Sequence, residues 1–201
     1  EAFIFMYLKK IAIIFSLCLL ICNIALAKTL PNPDTSAVSA CLIDADDNGV
    51  LYGKDEDKIM HSASTTKIMT AILALESGKL DEPLVITPEA VNTEPSSLGL
   101  RLGDKITLRE ALTGMMIVSG NDAAVAVAQT VAGSVPAFAK MMNDKAKELG
   151  AVNTHFLNPH GLTAQGHYST AHDMAIIASY AMKKPEFREI VSKKAYNMKY
   201  M

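Results

Sequence analysis

Ser64-Thr65-Thr66-Lys67-Ile68-Met69-Thr70-Ala71-Ile72-Leu73-Ala74-Leu75 decides how this chain is read. A serine is followed three positions later by a lysine, at the head of an apolar segment. If the segment is a helix, Ser64 and Lys67 share a face. Ser64 then sits at or near the helix N-terminus, and the Lys67 amine can fold back beside its hydroxyl. A serine hydroxyl is a weak nucleophile until a neighbouring base takes its proton. Lys67 can be that base if burial or a second cation keeps its amine neutral. Unpaired N–H groups at a helix N-terminus add a place for an oxyanion. Alone, the pattern equally fits a serine N-cap with a solvated lysine one turn on.

Upstream, Lys9 and Lys10 precede the apolar run Ile11–Ile21, and Ala25-Leu26-Ala27 follows. This is the pattern of a secretory signal peptide over residues 1–27, with cleavage after Ala27 and export across the cytoplasmic membrane to a periplasmic or other extracytoplasmic location. Met6 is a better start than Glu1. Residues 28–201 then form one domain, long enough for a sizeable core. The net charge of −2 carries no basic stripe, so nucleic acid is not an expected partner. Cys18 and Cys22 fall in the leader, which leaves Cys41 as the one mature cysteine and a buried strand residue. The five histidines form no metal-binding spacing, so neither metal nor cofactor is expected.

Downstream, Asp46-Asp47-Asn48-Gly49 separates two apolar runs, which predicts an antiparallel hairpin over about 36–44 and 49–54. The helix after Ser64 should end near Glu76, before Gly78. Prolines and glycines over 80–106 point to loops and short strands. Thr107-Leu108-Arg109-Glu110 reads as a capping box opening a helix to about Ile117. Further helices are expected from Asn121 to Ala132, from Ser134 to Leu149-Gly150, and from Thr170 to before Pro185. Met69, Met115, Met116, Met141 and Met142 read as core filler. Strands first and helices after indicate α+β, a helical cluster on an antiparallel sheet.

Ser119-Gly120-Asn121 falls on a short connection between two of these helices. Its hydroxyl can relay a proton, its amide can donate and accept, and Gly120 permits a tight turn. A plain helix-capping loop would also use these residues. The Ser64-x-x-Lys67 and Ser119-x-Asn121 pair, with its spacing, resembles the penicillin-recognising serine enzymes. The flanks Ala63–Thr70, Leu112–Ala124, Phe156–Leu162 and Gly166–Thr170 resemble the low-molecular-mass D-alanyl-D-alanine carboxypeptidases of that superfamily, over roughly residues 35–198.

The resemblance implies a β-lactamase/transpeptidase-like fold and cleavage of the terminal D-alanine from peptidoglycan stem pentapeptides. Ser64 would form an acyl-enzyme and Lys67 would take its proton. Ser119 would relay a proton to the leaving amine, and Asn121 would bind the substrate peptide and help to hold Lys67. β-Lactams would acylate the same serine as inhibitors. The family's third motif, Lys-Thr-Gly, does not occur; the one Lys-Thr is Lys28-Thr29-Leu30. The expectation is therefore an incomplete, unstable enzyme whose missing strands, and any membrane-binding region, lie beyond Met201. A serine β-lactamase lacks support, since no Glu-x-x-Leu-Asn is present, and a non-catalytic peptidoglycan-binding homologue would not need an activated serine. His160 is read as a turn histidine outside the catalytic set.

Overall fold

Asp44 to Gly49 folds into a compact loop in which Asp44 N donates to Gly49 O, Asn48 N donates to Asp44 O, and Asn48 takes φ +62°. It joins β1 (Ala40–Ile43) to β2 (Val50–Lys54), an antiparallel pair with Ala40 opposite Lys54 and an irregularity after Leu42. The strands are shorter than the sequence suggests: the loop takes up Asp44 and Gly49, and residues 36–39 precede the first paired residue, Ala40. This computed structural model describes residues 32–201, of which residues 37–201 form one compact unit and those up to Ser36 belong to another. The expected leader, residues 1–27, and Lys28-Thr29-Leu30 lie outside the described residues.

Seven helices follow among the described residues: α1 (Lys67–Glu76), α2 (Pro88–Val91), α3 (Leu108–Val118), α4 (Asn121–Ala132), α5 (Val135–Glu148), α6 (Ala171–Met182) and α7 (Pro185–Val191). Threonine or serine hydroxyls cap four of them. Thr87 accepts from Ala90 N, Thr107 from Glu110 N, Ser134 from Ala137 N and Thr170 from Asp173 N. Each such cap satisfies a backbone donor that the helix cannot, a contribution of about 1 kcal/mol. The capping box at Thr107 is half formed. The buried Glu110 carboxylate turns away to accept from Tyr196 OH at 2.7 Å and Lys199 N at 2.8 Å. Two helices exceed the sequence reading, α2 and α7. Both start with proline at the first helical position, where its missing N–H costs nothing.

α1 and α4 are the buried centre. Met69, Ala71, Ile72 and Ala74 of α1, and Ala123, Ala124, Ala126, Val127 and Ala128 of α4, have no accessible surface. A helix apolar on all sides has to be covered on all sides. α3, α4, α5, α6 and α7 surround α1, and α6 packs on β1. Phe138, Phe156, Ile72 and Met142 fill the core, each contributing about 1.5–3 kcal/mol by leaving water. Small residues on α4 let neighbouring backbones approach closely. Met69, Met115 and Met142 are core residues, but Met141 is 38% exposed, since it lies on the outer side of α5. Cys41 is half-buried; burial, then Glu56 and Asp57, push its thiol up from the ordinary value and away from reactivity. Leu42, Val50 and Leu51 keep their side chains exposed on the hairpin.

Candidate active site

The α-helix does not begin at Ser64. Ala63–Thr66 forms a single 3₁₀ turn between Ser62 and Lys67, and regular α1 starts one residue after Thr66. Ser64 is therefore not a helix cap: its side chain stands exposed at the crest of the turn. Lys67, one turn on, is 2% exposed, which removes the solvated-lysine reading. Its Nζ lies 3.3 Å from Ser64 Oγ, 2.7 Å from Asn121 Oδ1 and 3.0 Å from the His160 carbonyl oxygen.

Two of these three partners are carbonyl oxygens, which only accept. A neutral amine has two N–H groups and one lone pair. Giving both N–H groups to Asn121 and His160 leaves the lone pair for the Ser64 hydroxyl. Burial favours the neutral state, bringing the Lys67 amine down to about 8. The turn thus presents an exposed hydroxyl to a buried amine able to accept its proton.

Asn121 is the first residue of α4, and its orientation is fixed from behind. Its Nδ2 donates to Pro95 O and its backbone N donates to Ser96 O at 2.7 Å. With Nδ2 so engaged, Oδ1 has to face Lys67. The loop carrying Pro95 and Ser96 is in turn pinned by Asp122. That fully buried carboxylate accepts from Ser97 Oγ and from the backbone N of Leu98, Gly99, Leu100 and Ala123, at 2.7–3.0 Å. Burial alone would raise the Asp122 carboxyl, but hydrogen bonds from Ser97, Leu98, Leu100 and Ala123 outweigh it and hold the group below its usual range. Asp122 was not singled out by the sequence; an acidic residue in the first turn of an alanine-rich buried helix is the signal that could have found it.

Ser119 caps α3 in the left-handed conformation, φ +58°. This corrects the expectation that Gly120 supplies the tight turn, since Gly120 has φ −62°. Gly120 is required for room: a Cβ there would lie 2.8 Å from both Leu98 N and Asp122 Oδ1. Ser64, Lys67 and Asn121 are joined by hydrogen bonds. Ser119 is held two residues from Asn121, half-buried, and makes no hydrogen bond to Ser64 or Lys67.

The remaining wall is the loop from Phe156 to His167. Pro159 O accepts from Thr70 Oγ1 at 2.6 Å, and His160 O accepts from Lys67. Asn158 Oδ1 ties the turn by accepting from Gly161 N at 2.7 Å. His160 Nδ1 accepts from Leu162 N at 3.1 Å, so the ring braces its own turn, in keeping with its reading as a turn histidine. Burial, then the Lys67 and His167 charges, lower the His160 imidazole to about 4. Gly161, φ +87°, presses on the Ser64 turn so closely that a Cβ would overlap the Ala63 carbonyl and stand 2.8 Å from Thr66 Oγ1. His167 is 1% exposed and bonds both Leu157 N and Thr66 Oγ1, at 3.1 Å each. Among the described residues no three His, Cys, Asp or Glu side chains converge as metal ligands.

A fold with these features has solved counterparts. A D-alanyl-D-alanine carboxypeptidase from Mycobacterium tuberculosis H37Rv superposes with a TM-score of 0.78 at 35% identity, over 83% of this chain and 64% of that one. A mutant of the Streptomyces K15 DD-transpeptidase superposes with a TM-score of 0.79 at 36% identity, over 84% and 70%. The chain therefore has the penicillin-recognising, transpeptidase-like fold, α+β as the sequence indicated. Residues 26–201 match the family model described as D-alanyl-D-alanine carboxypeptidase, and the chain belongs to that family. Among its relatives, DacF of Bacillus subtilis is 46% identical over 73% of this chain and 39% of its own length. DacB2 of Mycobacterium tuberculosis is 37% identical over 83% of this chain and 57% of its own length. The chain thus spans about half the length of these curated relatives.

Proposed function

We propose that this protein is a serine-type D-alanyl-D-alanine carboxypeptidase that removes the terminal D-alanine from peptidoglycan stem peptides. The observation that carries the reading is the buried Lys67 amine, held against Ser64 Oγ by two carbonyl oxygens, so that in its neutral form the lone pair is left to the Ser64 hydroxyl. Ser64 Oγ attacks the carbonyl carbon between the two D-alanines while its proton passes to Lys67 Nζ. Collapse of the tetrahedral intermediate breaks the peptide bond, and a proton relayed through Ser119 reaches the departing amine. Asn121 holds Lys67 through Oδ1, and the second N–H of its Nδ2 hydrogen-bonds the substrate peptide. Water then attacks the acyl-enzyme and restores Ser64, releasing the shortened peptide. A β-lactam offers a strained amide to the same serine and leaves a slowly hydrolysed acyl-enzyme.

The activity is proposed for the whole protein, since the chain covers about half the length of its relatives. Export fits it: the charged and apolar pattern of residues 1–27 would carry Ser64 to the cell-wall side of the membrane. The test is acylation by a labelled penicillin, together with D-alanine release from a stem pentapeptide, using protein expressed from its complete reading frame. Both activities should vanish in Ser64→Ala. Labelling that persists in that variant would remove Ser64 from the role.

A further inference from the structure

We propose that His167 is a positioning residue for the reactive turn: its Nε2–H bond to Thr66 fixes the turn that carries Ser64, and so keeps the Ser64 hydroxyl within reach of the Lys67 amine. This rests on the assignment of Ser64 as nucleophile.

The direction of the bonds follows from one backbone donor. Leu157 N–H can only donate, so His167 Nδ1, 3.1 Å away, accepts. A neutral imidazole then carries its proton on Nε2 and donates it to Thr66 Oγ1 at 3.1 Å. With that lone pair occupied, the Thr66 hydroxyl proton is free for Ser62 Oγ, 2.8 Å away. One directed chain therefore runs from Leu157 through His167 to both ends of the turn, Thr66 and Ser62, with Ser64 between them.

The turn requires such a hold. Ala63 sits at φ +46°, a left-handed conformation that a residue with a Cβ abandons unless its surroundings enforce it. Thr66 and His167 are both buried, so no water competes for their bond. His167 is itself fixed: its backbone N donates to Ala164 O, its carbonyl accepts from His61 Nδ1 at 3.2 Å, and its ring meets Phe156 edge-on. The ring touches neither Ser64 nor Lys67 and acts on them only through Thr66.

The two ring nitrogens can be separated by substitution. In His167→Gln the side-chain amide nitrogen reaches the place of Nε2 and keeps the donor to Thr66. In His167→Asn the side-chain oxygen takes the place of Nδ1 and keeps the acceptor for Leu157, but the Thr66 donor is lost. The measurement is the rate of acylation by a labelled penicillin, beside the melting temperature, in protein from the complete reading frame. His167→Gln should acylate within about threefold of wild type, and His167→Asn about 10²-fold more slowly, at similar melting temperatures. Equal loss in both variants, or loss that only follows melting temperature, overturns the proposal. Should the histidine variants not fold, Thr66→Val and Thr66→Ser interrogate the other end of the bond. Thr66→Val should be slow and Thr66→Ser close to wild type, and a Thr66→Val protein acylated at the wild-type rate overturns the proposal equally. Labelling that survives Ser64→Ala strikes the nucleophile assignment instead, whatever the His167 variants do.

Discussion

Asn121 Oδ1 lies 2.7 Å from Lys67 Nζ, and the Asn121 amide cannot flip because its Nδ2 is committed to Pro95 O. The amine therefore always meets an acceptor from that side, and never a donor or a charge.

Asn121→Asp replaces that neutral acceptor with a carboxylate at the same distance. A negative charge so close favours the ammonium form and should raise the Lys67 amine by about one unit or more. Acylation by a labelled penicillin should slow near neutral pH and recover towards alkaline pH. A pH profile unchanged from wild type would contradict this account of Lys67.

The wild-type profile has its own prediction. In the proposed reaction the neutral amine is the base, and burial brings it down to about 8. Acylation should rise roughly tenfold per pH unit below that value and level off above it. Lys67→Arg, which cannot lose its proton, should be slower by about 10³-fold at every pH.

Acid should destabilise the fold before its carboxylates are protonated. Burial lowers both His160 and His167 from 6.5 to about 4. The folded state then binds fewer protons than the unfolded chain between those values. Stability is full above pH 6.5 and falls as pH drops through about 4. The melting temperature should fall by about 5–10 °C between pH 6.5 and 4.5. His167→Gln should flatten much of that slope, and a wild-type curve level over this range would count against it.

Gly161→Ala and Gly166→Ala make a matched pair. Both glycines have positive φ, +87° and +91°, but only a Cβ at Gly161 would overlap the Ser64 turn; at Gly166 the nearest atom is Leu157 Cδ1 at 3.7 Å. Gly166→Ala should cost about 1 kcal/mol in urea unfolding. Gly161→Ala should cost about 3 kcal/mol or more and depress acylation as well.

Asp122→Asn keeps the shape but points an amide at a ring of donors. Losing the charge on a fully buried acceptor of five hydrogen bonds should cost about 3 kcal/mol. Because Pro95 hangs on that loop, Asn121 loses its orientation too, so the residual folded protein should acylate slowly. A variant as stable as wild type would show the clamp to be redundant.

The parts of the fold written in short range were legible in the sequence. Asn48-Gly49 marked the hairpin, Thr107, Ser134 and Thr170 marked three helix starts, and the alanine-rich run Asn121–Ala132 was bounded correctly at both ends. Ser64, Lys67 and Asn121 were legible as candidates because their spacing and flanks carry the resemblance. What escaped depends on segments far apart in the chain. The 3₁₀ geometry before Lys67 comes from packing of the 158–167 loop, which leaves no periodic trace near Ser64. Nothing in the local pattern separates Asp122 from an ordinary first-turn acid or His167 from a loop histidine; their importance appears only once folding surrounds Asp122 with donors and sets His167 between Leu157 N and Thr66 Oγ1. The role given to Gly120 was mistaken for the same reason, since what matters there is crowding by Leu98 rather than backbone freedom.

The Lys67 amine takes its last acceptor from His160, 93 positions further along. A ribosome delivers the chain from its N-terminus, so Ser64 emerges long before the groups proposed to arm it. Throughout that interval the hydroxyl is no more reactive than any other serine. Arming waits for a long-range closure, the slow kind of folding event, and so a newly made chain passes through a stage in which its Ser64 hydroxyl is switched off.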